Sequence, residues 1–259
     1  MAKLGKSIWA KLRRMTPMRC RPTGYLAHQA FVRTGGKVYS GPFCGMTYIQ
    51  DFWFGGYIAK ILGIYERELH GVIESACAME PDLVVDVGAA EGYYSVGLCR
   101  RLPGAKHVAF EIAEEGRGML RDLARSNGCE GRIDIREACD PEKLEAALAG
   151  AKKPFCVIDV EGYEKVLVDP GVVPSLRRAM MLVELHPGRA PGIAERLNEL
   201  FGGTHEIERI WSTDRTPGDY PFQSIGFRLM PYKYRLWAVD ECRRGKMSWL
   251  WMKPKDRAS

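Results

Sequence analysis

The sequence predicts an α/β fold in which helices cover both faces of a mostly parallel sheet. Strand and helix patterns alternate between residues 83 and 201, as they do in a βαβ series. A buried-strand pattern at 83–87 runs into a glycine turn that opens the next helix. The last two strand patterns, at 205–211 and 247–252, are joined by a Pro/Gly-rich connection instead of a crossover helix, which indicates an antiparallel edge.

Each element of this fold is assigned from its own hydrophobic pattern. Short apolar runs bounded by turn residues predict the strands, and apolar residues at helical spacing predict the helices. The predicted strands are 83–87, 107–111, 132–137, 155–160, 180–186, 205–211 and 247–252. The predicted helices are 92–102, 114–127, 141–149, 163–168 and 191–201, and a further helix leads from Tyr65 toward Pro81.

The N-terminal part is predicted to be a cap on this domain. Residues 1–58 comprise a basic arm and a segment rich in Gly, Pro and aromatic residues, and residues 59–259 form the α/β domain. Residues 16–57 lack a sustained helical period, so we expect a cap or short strands with a hairpin turn at Gly35–Gly36. The nine aromatic side chains of this segment suit a lid over a sugar ring or a planar ligand, or the segment's own core.

Composition favours a cytoplasmic protein. The chain is 46% hydrophobic, and no apolar run approaches the roughly 20 residues that span a bilayer. The N-terminus lacks the apolar run and cleavage site of a signal peptide. The eight cysteines are dispersed, with no C-x-x-C pair and no Cys/His pair at zinc-ligand spacing, so reduced structural thiols are expected.

Positive charge is concentrated at the N-terminus. The formal net charge is +6, yet nine Lys and Arg and no acidic residue precede Asp51, so the rest of the chain carries −3 (6 − 9). Apolar and basic residues between Leu4 and Met15 follow the pattern of a short basic amphipathic helix. Such an arm lies peripherally on an anionic membrane, or packs on its own domain or a partner subunit. No nucleic-acid partner is expected, because the acidic body of the protein repels phosphates.

The glycine turn after the first strand predicts a cofactor site. Gly88 and Gly92 permit a backbone conformation or a close approach that a Cβ would obstruct. Glu111 ends the next strand, where a carboxylate accepts hydrogen bonds from the ribose of an adenosine. Ala90 replaces the second glycine of a pyrophosphate site, and Asp86 repels a pyrophosphate but tolerates a cationic sulfonium. The pattern therefore favours S-adenosylmethionine over a nicotinamide dinucleotide.

A second group of polar residues follows two later strands. Asp159 and Glu161 alternate at the end of the fourth predicted strand, and Glu164 follows one helical turn after Glu161. Glu184 and His186 share one face at the end of the fifth strand. Because the carboxyl ends of parallel strands face one crevice, the five ionisable groups are expected to converge. Glu161 and Glu164 also fit a simpler role as caps of the following helix.

These motifs resemble those of the FkbM-type family of class I S-adenosylmethionine-dependent methyltransferases. The matching segments are 85–95, 109–111, 158–164 and 183–186, and the resemblance spans roughly residues 65 to 190. Its most specific part is the Asp-Val-Glu-Gly run that begins at Asp159. The resemblance implies a Rossmann-like seven-stranded sheet whose last strand is antiparallel, and O-methylation of a small molecule such as a sugar or a natural product.

The resemblance also implies roles for individual residues. The turn at 88–92 holds the methionine part of the cofactor, Glu111 holds its ribose, and Cys139 and Asp140 frame its adenine. Asp159 lies beside the methyl group that is transferred. The cofactor-binding residues expected on this basis are Asp86, Gly88, Ala89, Ala90, Glu91, Gly92, Tyr93, Glu111, Cys139, Asp140 and Asp159.

His186 is the natural general base for a hydroxyl acceptor. An imidazole with a pKa of ~6.5 is about half deprotonated near neutral pH, and Glu184 or Asp159 would orient it. In a second interpretation, Asp159, Glu184 and His186 hold a divalent ion such as Mg²⁺ that lowers the pKa of the acceptor. Catalysis without a metal is favoured, because oxygen-rich sites alone do not establish one.

Two other classes of protein stay open at this stage. A nicotinamide-dependent oxidoreductase would use the same fold and Glu111, although it needs a pyrophosphate turn that the sequence does not offer. A non-catalytic binding module, tethered by its basic arm, would keep the cofactor turn and would not require Asp159 or His186.

Overall fold

The computed structural model describes residues 22–48, 56–243 and 245–255. The predicted basic amphipathic helix lies outside the described residues and stays a prediction. Within the described ranges, no helix combines the length and the apolar character needed to cross a membrane.

Seven strands form one mixed sheet, as the sequence predicts. The strands are β1 Leu83–Val87, β2 Lys106–Phe110, β3 Ile133–Arg136, β4 Pro154–Ile158, β5 Met180–Leu185, β6 His205–Trp211 and β7 Ser248–Pro254. Their spatial order is β3-β2-β1-β4-β5-β7-β6. Strands β1 to β5 run parallel, and β7 lies antiparallel to both of its neighbours, β5 and β6. The fold is therefore Rossmann-like with antiparallel C-terminal strands.

The helices alternate with the strands through the centre of the chain. They are α1 Pro22–Thr34, α2 Tyr57–Leu62, α3 His70–Ala78, α4 Tyr93–Arg101, α5 Glu114–Ser126, α6 Pro141–Leu148, α7 Glu164–Leu167, α8 Ile193–Phe201, α9 Ile225–Leu229 and α10 Tyr232–Trp237. The boundaries of α4 to α8 lie within 2 residues of the predicted ones. Local chemistry explains this agreement: Asp140 caps α6 by accepting from the Lys143 amide at 2.8 Å, and Pro141 opens the helix.

The central strands are buried on both faces. Every residue of β1, β4 and β5 is buried, because helices cover the sheet on each side. Side chains alternate between two cores: Val84 and Leu182 pack with α1 to α5, whereas Val85 and Val183 pack with α6 to α8. The two cores hold the carboxyl ends of these strands in fixed positions.

The N-terminal region matches the prediction of a cap or short strands only in part, because Lys37 and Thr47 form an antiparallel bridge but the segment before them is helical. Residues 22–34 form a helix whose buried face includes Leu26 and Ala30, one helical turn apart. Gly35 and Gly36 both adopt left-handed backbone conformations directly after this helix. The prediction of a hairpin turn at these glycines was wrong, because their positive φ angles serve to end a helix.

The described part of the N-terminal region packs on the α/β domain. Leu26, Phe43 and Tyr48 belong to the same hydrophobic core as the sheet side chains on that face. Asn127, at the end of α5, accepts from the Thr47 amide and donates to the Thr47 carbonyl, both at 2.8 Å. The boundary predicted at residue 58 stays a prediction, and α2 runs across it.

The connection between β6 and β7 contains structure that the sequence pattern did not indicate. Two short helices, α9 and α10, interrupt it, and the rings of Tyr220 and Phe227 stack at 4.3 Å between centroids. The connection then leads to Arg243, whose side chain contacts residues of the central cleft. It therefore helps to build the site described next.

Candidate active site

The cleft lies at the carboxyl ends of the central strands. It contains about 520 Å³ of space between atoms, and part of this space is open to solvent. The glycine turn after β1 and the acidic segment after β4 contribute to the same wall. Its lining residues are Lys60, Tyr65, Glu66, Leu69, Asp86, Gly88, Ala89, Ala90, Glu91, Tyr93, Tyr94, Val157, Ile158, Asp159, Leu182, Glu184 and Trp249.

The glycine turn passes very close to the end of β4. A Cβ on Gly88 would lie 1.8 Å from the carbonyl oxygen of Asp159, and Gly88 has a φ of +87°. The Asp159 amide in turn donates to the Val87 carbonyl at 2.9 Å. Only glycine satisfies both the conformation and the space at this position. This contact brings the two predicted groups of residues together.

Glu111 lies against the same turn from the side of β2. Its two carboxylate oxygens accept from the amides of Ala90 at 2.8 Å and Ala113 at 2.7 Å. Ala90 has a positive φ of 48°, which turns its amide toward the carboxylate. Each carboxylate oxygen has a second lone pair, so Glu111 keeps the capacity to accept from a ligand hydroxyl.

Glu91 is a buried member of the turn. Its Oε1 accepts from the Tyr48 hydroxyl at 2.7 Å and pairs with the Lys60 ammonium group. The ion pair lowers the pKa of Glu91, although burial opposes that effect. Among the described residues, no donor reaches the buried Oε2 atom. Glu91 therefore offers an unused acceptor in a residue that lines the cleft.

His186 is the meeting point of the second group. Its Nε2 lies 3.5 Å from Asp159 Oδ1, 3.7 Å from Glu161 Oε2 and 3.9 Å from Glu184 Oε1. Its Nδ1 lies 2.6 Å from Glu164 Oε1. The five groups converge as the sequence predicts, because β4 and β5 are neighbouring parallel strands.

The residue that orients His186 is Glu164, and neither Glu184 nor Asp159 occupies that position. Glu164 is fully buried at the start of α7 and also accepts from the Gly162 amide at 3.1 Å. Glu164 fixes the ring with Nδ1 protonated and leaves Nε2 facing the carboxylates. Burial opposes protonation of the ring, but the bond to Glu164 and the nearby carboxylates outweigh it and raise the pKa of His186.

Glu184 is held by residues of the C-terminal part of the chain. Its oxygens accept from Arg243 Nη1 at 3.0 Å and from Trp249 Nε1 at 3.1 Å. Arg243 also pairs with Glu66, whose carboxylate accepts from Tyr94 as well. Glu184 is thus a fixed part of the wall, with its side chain oriented independently of His186.

Four carboxyl groups of the cleft share one electrostatic property, and they are those of Glu66, Asp86, Asp159 and Glu184. Burial raises the pKa of each to about 7, and nearby cations and hydrogen bonds oppose this effect without cancelling it. The side chain of Asp159 nevertheless remains 47% accessible, because it faces the open part of the cleft. A cationic ligand beside these groups would favour their ionised forms.

Asp159, Glu184 and His186 could also offer ligand atoms to a divalent cation. One atom from each lies within 4.8 Å of the others. However, Glu184 Oε1 already accepts from Arg243, and a metal ion bound there would face the positive guanidinium at short range. The arrangement fits a proton acceptor better than a metal centre.

Four of the predicted cofactor residues are not among those that line the cleft: Gly92, Glu111, Cys139 and Asp140. Asp140 is a half-buried helix cap, and Cys139 packs beside the core on the α6 side. Their roles at the adenine stay predictions. Conversely, Lys60 and Arg243 contact cleft carboxylates, although neither lies in a recognisable motif.

Comparisons with known proteins give matches among solved structures. No family model matches the sequence, and no curated protein matches it. The O-methyltransferase TomG from Streptomyces achromogenes, solved with SAM, is 12% identical, covers 95% of this chain and 96% of its own, and has a TM-score of 0.46. A precorrin-6y C5,15-methyltransferase from Geobacter metallireducens is 15% identical over 72% of this chain and 88% of its own, with a TM-score of 0.47. A protein from Pyrococcus horikoshii with a provisional RNA methyltransferase assignment is 11% identical, covers 90% of this chain and 98% of its own, and has a TM-score of 0.48.

Replacement of Gly88 tests the close approach at the centre of the site. We expect Gly88→Ala to lower the free energy of unfolding by about 3 kcal/mol or more, because backbone strain adds to overpacking. Gly104→Ala is the matched control, since Gly104 is exposed and its Cβ would meet no atom within 4 Å. Urea unfolding measures both. Equal stability of the two variants would contradict the packing described here.

Proposed function

We propose that the protein is an S-adenosylmethionine-dependent methyltransferase that methylates a hydroxyl group of a small molecule. The observation that carries this proposal is the charge of the cleft beside the glycine turn. Five carboxyl-bearing residues line it, whereas Lys60 is the one cation among its described lining residues. Such a wall attracts a sulfonium cation and repels the pyrophosphate of a dinucleotide.

The residues around the turn fit the polar parts of this cofactor. Glu111 would accept from the ribose hydroxyls with its free lone pairs. The unused oxygen of Glu91 would accept from the amino group of the methionine part, and Lys60 lies beside it to attract the carboxylate. When bound, S-adenosylmethionine supplies an electrophilic methyl group.

The chain's own contribution to the chemistry is a positioned proton acceptor. Glu164 holds Nδ1 of His186, so Nε2 presents its lone pair toward Asp159 in the open part of the cleft. An acceptor hydroxyl bound there would lose its proton to Nε2 as it becomes nucleophilic. The buried carboxylate of Glu164 stabilises the imidazolium that forms.

The charge of the cleft also limits the acceptor. Asp159, Glu161 and Glu184 surround the position next to His186, and an anionic acceptor would meet three carboxylates there. A neutral polyhydroxylated acceptor would find hydrogen-bond acceptors instead. The same charges disfavour a nucleic-acid backbone as a substrate.

Binding of S-adenosylhomocysteine tests the proposed cofactor. We expect the purified protein to bind it in a calorimetric titration and to show no heat with NAD⁺. Glu111→Gln should weaken the binding about tenfold or more, because a hydrogen bond to a charged acceptor is lost. Glu115→Gln, on the exposed first turn of α5, serves as the control and should bind like the wild type. Absence of binding to the wild type would overturn the proposal.

A titration of His186 tests the proposed proton acceptor without knowledge of the substrate. Glu164 raises the pKa of His186, so in Glu164→Gln the imidazole should lose its proton at a lower pH than in the wild type. NMR of the ring resonances measures this directly. Glu115→Gln is the control, because Glu115 is exposed on α5 and belongs to neither of the strand ends that surround the ring.

An activity assay tests the role of His186 itself. With methyl-labelled S-adenosylmethionine and extracts that contain acceptors, His186→Ala should reduce methyl incorporation about 10²–10⁴-fold relative to the wild type. An unchanged His186 pKa in Glu164→Gln would show that Glu164 does not control the base. Unchanged incorporation by His186→Ala would remove His186 from the chemistry.

A further inference from the structure

An exposed apolar surface lies in the connection between β6 and β7, far along the chain from the catalytic motifs. Ile225 and Leu229 stand one turn apart on α9 and are 79% and 81% exposed. Tyr232 opens α10 and is 60% exposed. Large apolar side chains this exposed and this close in the chain indicate an interaction surface.

Basic residues accompany these apolar side chains. Arg228 and Lys233 are exposed between and beside them, and we call the group Ile225, Arg228, Leu229, Tyr232 and Lys233 the α9–α10 surface. No acidic residue occurs between Pro221 and Val239. The surface is therefore apolar and uniformly positive, which complements an anionic partner.

Further positive charge lies on and before helix α1, which adjoins α10. Helix α10 packs against α1, and Arg33 of α1 lies 5.5 Å from the ring centroid of Phe222. The sequence that leads into α1, residues 1–21, carries seven Lys and Arg and no acidic residue. Additional basic residues are thus tethered to the helix that neighbours the α9–α10 surface.

The combination of side chains distinguishes between anionic partners. Phosphate backbones are bound mainly by cations, and an aliphatic side chain makes no ion pair or hydrogen bond with a phosphate. An anionic bilayer uses both, because basic residues meet the headgroups while Ile, Leu and Tyr enter the interface. We propose that the α9–α10 surface docks the protein on an anionic lipid membrane.

Co-sedimentation of the full-length protein with lipid vesicles tests this proposal. The wild type should bind vesicles of phosphatidylcholine with phosphatidylserine and not vesicles of phosphatidylcholine alone. R228Q/K233Q should weaken binding about 30-fold, since each basic residue near such a surface contributes about fivefold. I225S/L229S should weaken it about tenfold or more, because apolar area no longer enters the interface.

Matched controls use exposed residues elsewhere. R121Q/R177Q removes two exposed charges, and V172S removes an apolar side chain that is 55% exposed. Both control variants should bind vesicles like the wild type. Unchanged thermal unfolding would establish that each variant is folded. Equal vesicle binding by all variants would overturn the proposal, since the N-terminal segment alone would then suffice.

A parallel titration with total tRNA distinguishes the other anionic partner. If the wild type binds tRNA more tightly than vesicles, R228Q/K233Q weakens the binding of tRNA, and I225S/L229S leaves both affinities unchanged, the surface binds nucleic acid and the lipid proposal is wrong. Absence of binding to the phosphatidylserine vesicles would equally refute it. Both outcomes are independent of the methyltransferase activity.

Discussion

The site depends on the contact between the backbones of Gly88 and Asp159. Parallel pairing of β1 with β4 ends where the glycine turn passes the Asp159 carbonyl, at a distance that excludes any side chain on Gly88. Because of this approach, the turn that follows β1 and the carboxylates that follow β4 form one wall. The proposed cofactor site and the proposed proton acceptor therefore depend on the same packing.

The cost of that arrangement is a concentration of buried carboxyl groups. Burial raises the pKa of Glu66, Asp86 and Glu184, and Arg243 and Lys60 neutralise only part of the charge of the cleft. A buried carboxylate without a full complement of cations is costly to ionise because water does not solvate it. This cost is greatest when no cationic ligand is bound. A ligand with a positive charge near Asp159 would lower this cost, which links the electrostatics of the cleft to the proposed function.

The sequence predicted most of the sheet and the convergence of polar side chains at the carboxyl ends of β4 and β5, because these follow from short-range patterns. Alternation of strands and helices, together with Asp140 as a cap and the glycines at 88 and 92, is visible in the chain itself. Long-range partners are not visible in this way. Lys60 meets Glu91 and Arg243 meets Glu184 only after folding, and the choice of Glu164 as the partner of His186 depended on the path of the loop after β4. The helix at 22–34 was missed because its apolar positions are small or interrupted by polar residues.

A crystal structure with bound S-adenosylhomocysteine would show whether the cofactor lies at the glycine turn. We expect the ribose hydroxyls to donate to Glu111 and the sulfur atom to lie beside Asp159 and His186, at the junction of the two backbones. A ligand bound elsewhere would contradict this expectation. So would a ligand that leaves Glu111 bonded to the amides of Ala90 and Ala113 alone.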